Sequence, residues 1–201
     1  MESQSLTSRL RRALNNEWLS LALFVAAAAI FYFFIQGFLI RTYQVDGQSM
    51  ETTLQNGDRL IIDKVPRSLA RITGHAYIPH RGDIVIFNQS GLFLGLAGEK
   101  QLIKRIVGLP GERVVVKDGN LMIYNQAHPG GYNPDTTGLY HINTLTTPGN
   151  LDVTLKVGEV FVCGDNRANS EDSRYFGPVS ADKIVGKLTV RVLPLNKVQR
   201  F

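Results

Sequence analysis

Two short segments of this 201-residue chain carry residue types suited to acyl transfer. Ser49 stands in Gly47-Gln48-Ser49-Met50-Glu51-Thr52-Thr53-Leu54, and Lys104 opens Lys104-Arg105-Ile106-Val107-Gly108-Leu109-Pro110-Gly111. A serine hydroxyl is a weak nucleophile near neutral pH and needs a base to take its proton as attack proceeds. A lysine fills that role only where its surroundings disfavour the ammonium form, and desolvation lowers a buried lysine's pKa by several units. If 101–107 is a strand, Leu102, Lys104 and Ile106 share one face, so Lys104 is bracketed by apolar side chains. Arg105 cannot take its place, because a guanidinium is effectively never deprotonated. Taken singly, Ser49 reads as a turn residue and Lys104 as a surface lysine whose stem covers apolar neighbours. Together they suggest a serine nucleophile and a lysine base.

Other chemistries find less support. His75, His80, His128 and His141 lie in turn-like contexts without His-Glu-x-x-His spacing, so a zinc peptidase is not expected, nor any metal or cofactor. Cys163, the lone cysteine, follows Phe161 and Val162 and reads as a small buried strand residue. A third polar segment, Gly164-Asp165-Asn166-Arg167-Ala168-Asn169-Ser170-Glu171-Asp172-Ser173-Arg174-Tyr175, lacks the spacing and terminal glutamate of a calcium loop.

These three segments together resemble the type I signal peptidases, membrane-bound serine proteases that remove leader peptides from exported proteins. The third matches Gly-Asp-Asn-Arg-x-Asn-Ser-x-Asp-Ser-Arg-Tyr over its whole length. The resemblance implies attack by Ser49, with Lys104 taking its proton and later protonating the leaving amine. It further implies that Ser170 hydrogen-bonds Lys104, that Asp172 and Arg174 form a supporting ion pair, and that Asp165 and Arg167 are scaffold. Met50 and Leu54 are expected to line a shallow pocket for small side chains. A substrate strand is expected beside Val45 to Gly47 and Gln101 to Ile103, making Val45, Leu102 and Ile103 substrate contacts. The substrates implied are preproteins with signal peptides ending in an Ala-x-Ala pattern. Two positions depart from the family's frequent pattern: Gly47 stands where some members supply a serine hydroxyl to the oxyanion, and Thr52 replaces a proline. A self-cleaving repressor-type Ser-Lys protease and a silent membrane-tethered peptide-binding module are the alternatives. The first lacks a helix-turn-helix pattern here, and the second leaves the matched residues without a use.

The elements that must position these residues begin with an anchor. No charge interrupts 18–40, and a helix of that length covers roughly 30 Å, the thickness of a bilayer's hydrocarbon core. We expect residues 1–17 to be a short basic cytoplasmic tail, 18–40 a transmembrane helix, and 41–201 a β-rich catalytic domain. Arg9, Arg11 and Arg12 before the run, against Arg41 directly after it, predict a cytoplasmic N-terminus and a domain on the far side, close to the export machinery. The net charge of +5 shows no aromatic-interleaved basic patch, so nucleic acid is not expected, and anionic membrane lipid is the better partner.

Past the anchor, short β-type runs alternate with glycine turns, which predicts a coiled antiparallel sheet. A Gly-acid pair precedes four of them: Gly57-Asp58, Gly82-Asp83, Gly111-Glu112 and Gly158-Glu159. Asp118-Gly119 predicts a two-residue hairpin. Residues 125–150 are rich in Gly, Pro, Asn and Thr and read as a turn-rich insertion without catalytic residues. Leu92 to Leu96 is apolar and fits either a membrane-interface loop or part of the sheet core. No long amphipathic helix is expected after Arg41.

Overall fold

A computed structural model describes residues 17–74, 77–90, 99–144 and 146–201, and the Leu92 to Leu96 run lies outside them. The chain divides into two compact units, residues 1–39 and 40–201. In the first, helix α1 (Glu17–Phe34) continues into a π-helical turn, Ile35–Leu39. Glu17–Gly37 is long and apolar enough to cross a membrane, with a mean hydropathy of 2.3 and none of it buried. An all-round apolar helix has no polar side to show water.

The second unit is antiparallel β. Its larger sheet is built from β1 (Ile40–Gln44), β2 (Arg59–Asp63), β3 (Ile84–Ser90), β4 (Glu99–Gly108), β9 (Glu159–Cys163), β10 (Val179–Ser180), β11 (Ile184–Leu193) and β12 (Gln199–Arg200). They run in the order β1-β2-β11-β3-β4-β9-β10, with β12 added to β11. The smaller sheet orders β7 (His128–Tyr132), β6 (Asn120–Asn125), β5 (Arg113–Lys117) and β8 (Leu151–Thr154). The β5–β6 hairpin forms as expected: Lys117 faces Asn120, and Asp118 and Gly119 take φ of 52° and 79°.

The central strands read as unbroken apolar runs because both of their faces are covered. On β3, Ile84 and Ile86 pack with Val45, Leu60, Ile62 and Leu188, while Val85 and Phe87 pack with Ile106, Val160 and Val162. On β9, Val160 and Val162 join that second cluster, and Phe161 and Cys163 face a third one against Val114, Val116, Leu121 and Ile123 of the smaller sheet. β5 alternates buried and less buried positions, as a strand with one covered face does.

The four Gly-acid pairs are one turn device used repeatedly. Each glycine has φ between 80° and 89°, a region that costs a side chain energy but not glycine. Each following carboxylate accepts the backbone N–H three residues before it, at 2.9 Å: Asp58 from Gln55, Asp83 from His80, Glu112 from Leu109 and Glu159 from Lys156. Three of the carboxylates then meet a cation from another strand or turn, as Asp58–Arg191, Asp83–Lys187 and Glu112–Arg81.

Two features add detail to the expected domain. The turn-rich stretch contains β7 and a 3-10 turn, Pro134–Thr136, and it delivers Tyr140 to the core. A nine-residue amphipathic helix, α2 (Val65–Thr73), follows β2; it is too short to stand out in the hydrophobic pattern.

Candidate active site

The segment after β1 turns back on itself through residues 47–54. Gly47 enters it at φ 102°, and its N–H donates to Asn56 Oδ1 at 3.0 Å. Leu54 N–H donates to the Met50 carbonyl at 2.8 Å, closing a single helical turn. That closure sends Met50 and Leu54 inward, where they are 1% and 0% exposed against Leu60, Ile62 and Ile86. Both residues thus pack under the turn next to Leu60 and Ile86, which line the groove beside Ser49. They form the floor beneath the Ser49 turn and hold it in place, leaving Ser49 at the surface of the cleft.

β4 brings the base. Lys104 is 3% exposed, and its Nζ donates to Ser49 Oγ at 2.7 Å and to the Ile103 carbonyl at 3.1 Å. Burial pushes its pKa down to about 8, against a smaller opposing attraction from Asp172. The Ser49 N–H meets no protein acceptor among the described residues, so it is available to a developing oxyanion. Gly47 supplies no side-chain donor, and its N–H is already engaged by Asn56.

The polar third segment clamps this turn. Asn166 N–H donates to the Ser49 carbonyl at 3.0 Å, and Asn166 Nδ2 to the Gln48 carbonyl at 3.2 Å. Gly164 comes so close that a Cβ there would collide with the Ser49 carbonyl and with Ser170. Asp172 and Arg174 form a two-point ion pair at 2.8 Å on each side, and Asp172 Oδ2 also accepts the Gly164 N–H at 2.9 Å. Ser170 is buried in place, but its Oγ has no hydrogen-bond partner among the described residues. The expected Ser170–Lys104 bond is thus not made here: the lysine amine is directed to Ser49 and to its neighbour's carbonyl.

Asp165 and Arg167 each anchor the segment to a different part of the fold. Arg105 donates to Asp165 through Nε at 2.8 Å and through a terminal nitrogen at 2.6 Å, both residues being buried. Thr53 Oγ1 donates to the same carboxylate at 2.5 Å, and the Arg105 guanidinium stacks over the Tyr140 ring. Arg167 meets Asp135 at 2.5 and 2.7 Å and donates to Thr147 Oγ1 at 2.8 Å. Sequence reasoning missed Arg105, Asp135, Asn166 and Tyr140 as part of this frame. An arginine between two apolar strand positions was the available signal for Arg105; Asp135, in a turn-rich run, gave none. Cys163 is fully buried, and burial pushes its thiol pKa up, which removes its nucleophilic form.

A groove of about 540 Å³ leads to the Ser49–Lys104 contact, with Val45, Gln101, Leu102 and Ile103 among its walls. Among the described residues, β4 pairs only with β3 between Glu99 and Lys104; its pairing with β9 starts at Arg105. One edge of β4 therefore stands open beside the lysine.

A fold and site of this kind define a peptidase frame in which a serine and a buried lysine meet at the head of an open strand edge. The family described as signal peptidase, peptidase S26, matches residues 16–193. A probable signal peptidase I-2 of Synechocystis is 33% identical over 184 residues, covering 92% of this chain and 77% of its own length. A signal peptidase IB of Staphylococcus aureus is 26% identical, with 92% and 94% covered. A solved signal peptidase I from Enterococcus faecalis shares 30% identity, covering 56% of this chain and 98% of its own, with a TM-score of 0.41. The chain belongs to the signal peptidase (peptidase S26) family and is a serine endopeptidase of that family.

Proposed function

We propose that this protein is a membrane-anchored leader peptidase that cleaves signal peptides from preproteins after small residues, with Ser49 as nucleophile and Lys104 as general base. The observation that carries the reading is the 2.7 Å contact between Lys104 Nζ and Ser49 Oγ at a lysine almost wholly buried. A pKa of about 8 leaves about a tenth of the amine neutral at pH 7, and a docked peptide that excludes water raises that share.

In the neutral form the direction of the hydrogen bond reverses, and Ser49 donates to Nζ. As Oγ bonds to the scissile carbonyl carbon, its proton passes to Lys104 and the carbonyl oxygen gains charge beside the Ser49 N–H. The ammonium then returns the proton to the leaving amine as the peptide bond breaks, giving an acyl-serine and neutral lysine. Water attacks that ester with Lys104 again as base, releasing the new carboxylate and restoring Ser49. Asp172, Arg174, Asp165 and Arg167 position these groups through the 164–175 segment and touch no reacting atom.

The substrate reading rests on the open edge of β4. An extended peptide added there gains main-chain hydrogen bonds and passes Lys104, with Val45, Leu102 and Ile103 beside its side chains. In this reading the apolar Glu17–Gly37 helix is the anchor, and the arginines before it support a cytoplasmic N-terminus, with the β domain working on the far side near emerging preproteins.

The test is cleavage of a leader-bearing preprotein by the full-length chain in lipid, with product termini read by mass spectrometry. Cleavage after a small residue should fall by at least about a thousandfold in both Ser49→Ala and Lys104→Ala with their thermal unfolding intact. Activity surviving Lys104→Ala removes the lysine from the base role. No cleavage by folded wild type favours a silent binding module.

A further inference from the structure

Helix α2 exposes an apolar stripe that the β domain does not use. Val65, Leu69 and Ile72 fall at i, i+4 and i+7, and Leu69 and Ile72 are 54% and 77% exposed. The opposite side rests on the domain. There Arg67 donates to the carbonyl of Ala181 at 3.1 Å and to that of Asp182. Gly74 ends the helix at φ 72°.

Cations gather around this stripe. The ammonium of Lys64, just before the helix, is disfavoured by partial burial and then by Arg41 and Arg71, and Arg67 likewise feels Arg71. Arg41, Lys64, Arg67 and Arg71 thus form one field. The carboxylates near it are Asp63, which accepts the Val65 N–H, and Asp182. Among the described residues these cations stand beside Asp63 and Asp182, and Arg41 and Arg71 add positive charge to the patch.

The chain path adds a second argument. Ile40, which opens β1 directly after the apolar run in sequence, lies opposite Asp63 in the β1–β2 pairing. α2 begins two residues beyond Asp63. The helix therefore starts at the end of the sheet where the chain enters the β domain from its apolar segment.

We propose that α2 is an interfacial helix that seats Leu69 and Ile72 in the membrane surface while Arg41, Lys64 and Arg71 hold anionic phospholipid headgroups. The inference rests on the anchored reading above. Its use is orientation: one helix leaves the domain free to rotate about its tether, and a second contact fixes which way the β4 edge faces. The charge field selects anionic lipid over zwitterionic lipid or a neutral protein surface, and a stripe of two large side chains suits shallow burial among headgroups.

The experiment uses the full chain in vesicles. Cys163 is buried, so a thiol-reactive fluorophore placed by Leu69→Cys, Ile72→Cys or, as a water-exposed control, Val157→Cys (98% exposed) reports its own site. Brominated lipid in phosphatidylglycerol–phosphatidylcholine vesicles should quench the labels at 69 and 72 and spare the one at 157. Lys64→Gln and Arg71→Gln should each weaken the docking equilibrium about fivefold, and purely zwitterionic vesicles should abolish it. Labels at 69 and 72 no more quenched than at 157, in a chain that floats with the vesicles, overturn the proposal and leave the anchor standing. Labels shielded from water yet unquenched show a protein on the stripe and overturn it as well. Quenching indifferent to lipid charge overturns the headgroup recognition. A chain that fails to float at all removes the anchor and the proposal together.

Discussion

At the scale of single residues, Lys104 carries opposed demands: the burial that frees its lone pair also costs the fold. With its pKa near 8 in the folded state against an ordinary 10.5, the folded chain resists protonation more than the unfolded chain does. Between those values the unfolded state binds more protons, so this residue makes stability rise as pH rises from about 8 to about 10.5, with the full penalty present below. The size of that penalty is about 3 kcal/mol. Lys104→Met should therefore be more stable than wild type at pH 7 by an amount of that order, and the advantage should vanish towards pH 10.5; denaturant unfolding of both proteins across the range measures it. The same titration should appear in catalysis. Because only the neutral amine accepts the Ser49 proton, kcat/KM should rise with pH to a plateau, with an apparent pKa near 8 for the free enzyme. A profile flat from pH 6 to 9 would remove the lysine's titration from the rate.

At the scale of elements, the site is a meeting of strand β4 with the 47–54 and 164–175 segments, pinned by buried guanidinium–carboxylate pairs, and breaking one leaves a charge stranded. Asp135→Asn strips the countercharge from Arg167, whose side chain is fully buried, and should cost about 3–5 kcal/mol. In a chain of this size that corresponds to a fall in Tm of about 10 °C. It should also lower kcat, since Arg167 holds the segment whose Asn166 fixes the Ser49 carbonyl. Asp152→Asn removes an equally short pair to Arg113, but one half exposed on both sides, and should leave Tm and kcat unchanged. Calorimetry and initial rates on the two variants separate the cases. Asp135 also shows where sequence reading stops. Ser49, Lys104 and the Asp172–Arg174 pair were legible because motif and strand period placed them, and the β5–β6 hairpin because Asp-Gly has few other conformations. The inward turn of Met50 and Leu54 depends on which sheet face the 47–54 loop meets, a long-range fact. The partner of Arg167 lies 32 residues away in a stretch chosen for its turns, where no periodicity reports burial. The β3 and β9 runs were visible as strands, yet only the packed layers show why neither alternates.

At the scale of the whole molecule, the two compact units have opposite solvents. Glu17–Gly37 of the first is apolar and unburied, and among the described residues the second packs most of its large apolar side chains into buried clusters. On the anchored reading proposed above, the apolar helix meets a bilayer and the β unit an aqueous phase, and the proposed substrates cross that same boundary. On the proposed reading the β unit lies on the far side of the membrane, because the arginines at 9, 11 and 12 outnumber the one at 41 and cations near a span stay cytoplasmic. In inverted membrane vesicles, with the cytoplasmic face outward, added protease should leave a fragment spanning the helix and residues 40–201 intact until detergent opens the vesicle. In right-side-out vesicles the β unit should be digested without detergent. The reverse pattern would place Ser49 in the cytoplasm, on the side where preproteins still carry their leaders before translocation, and would require another account of how its substrates reach the groove.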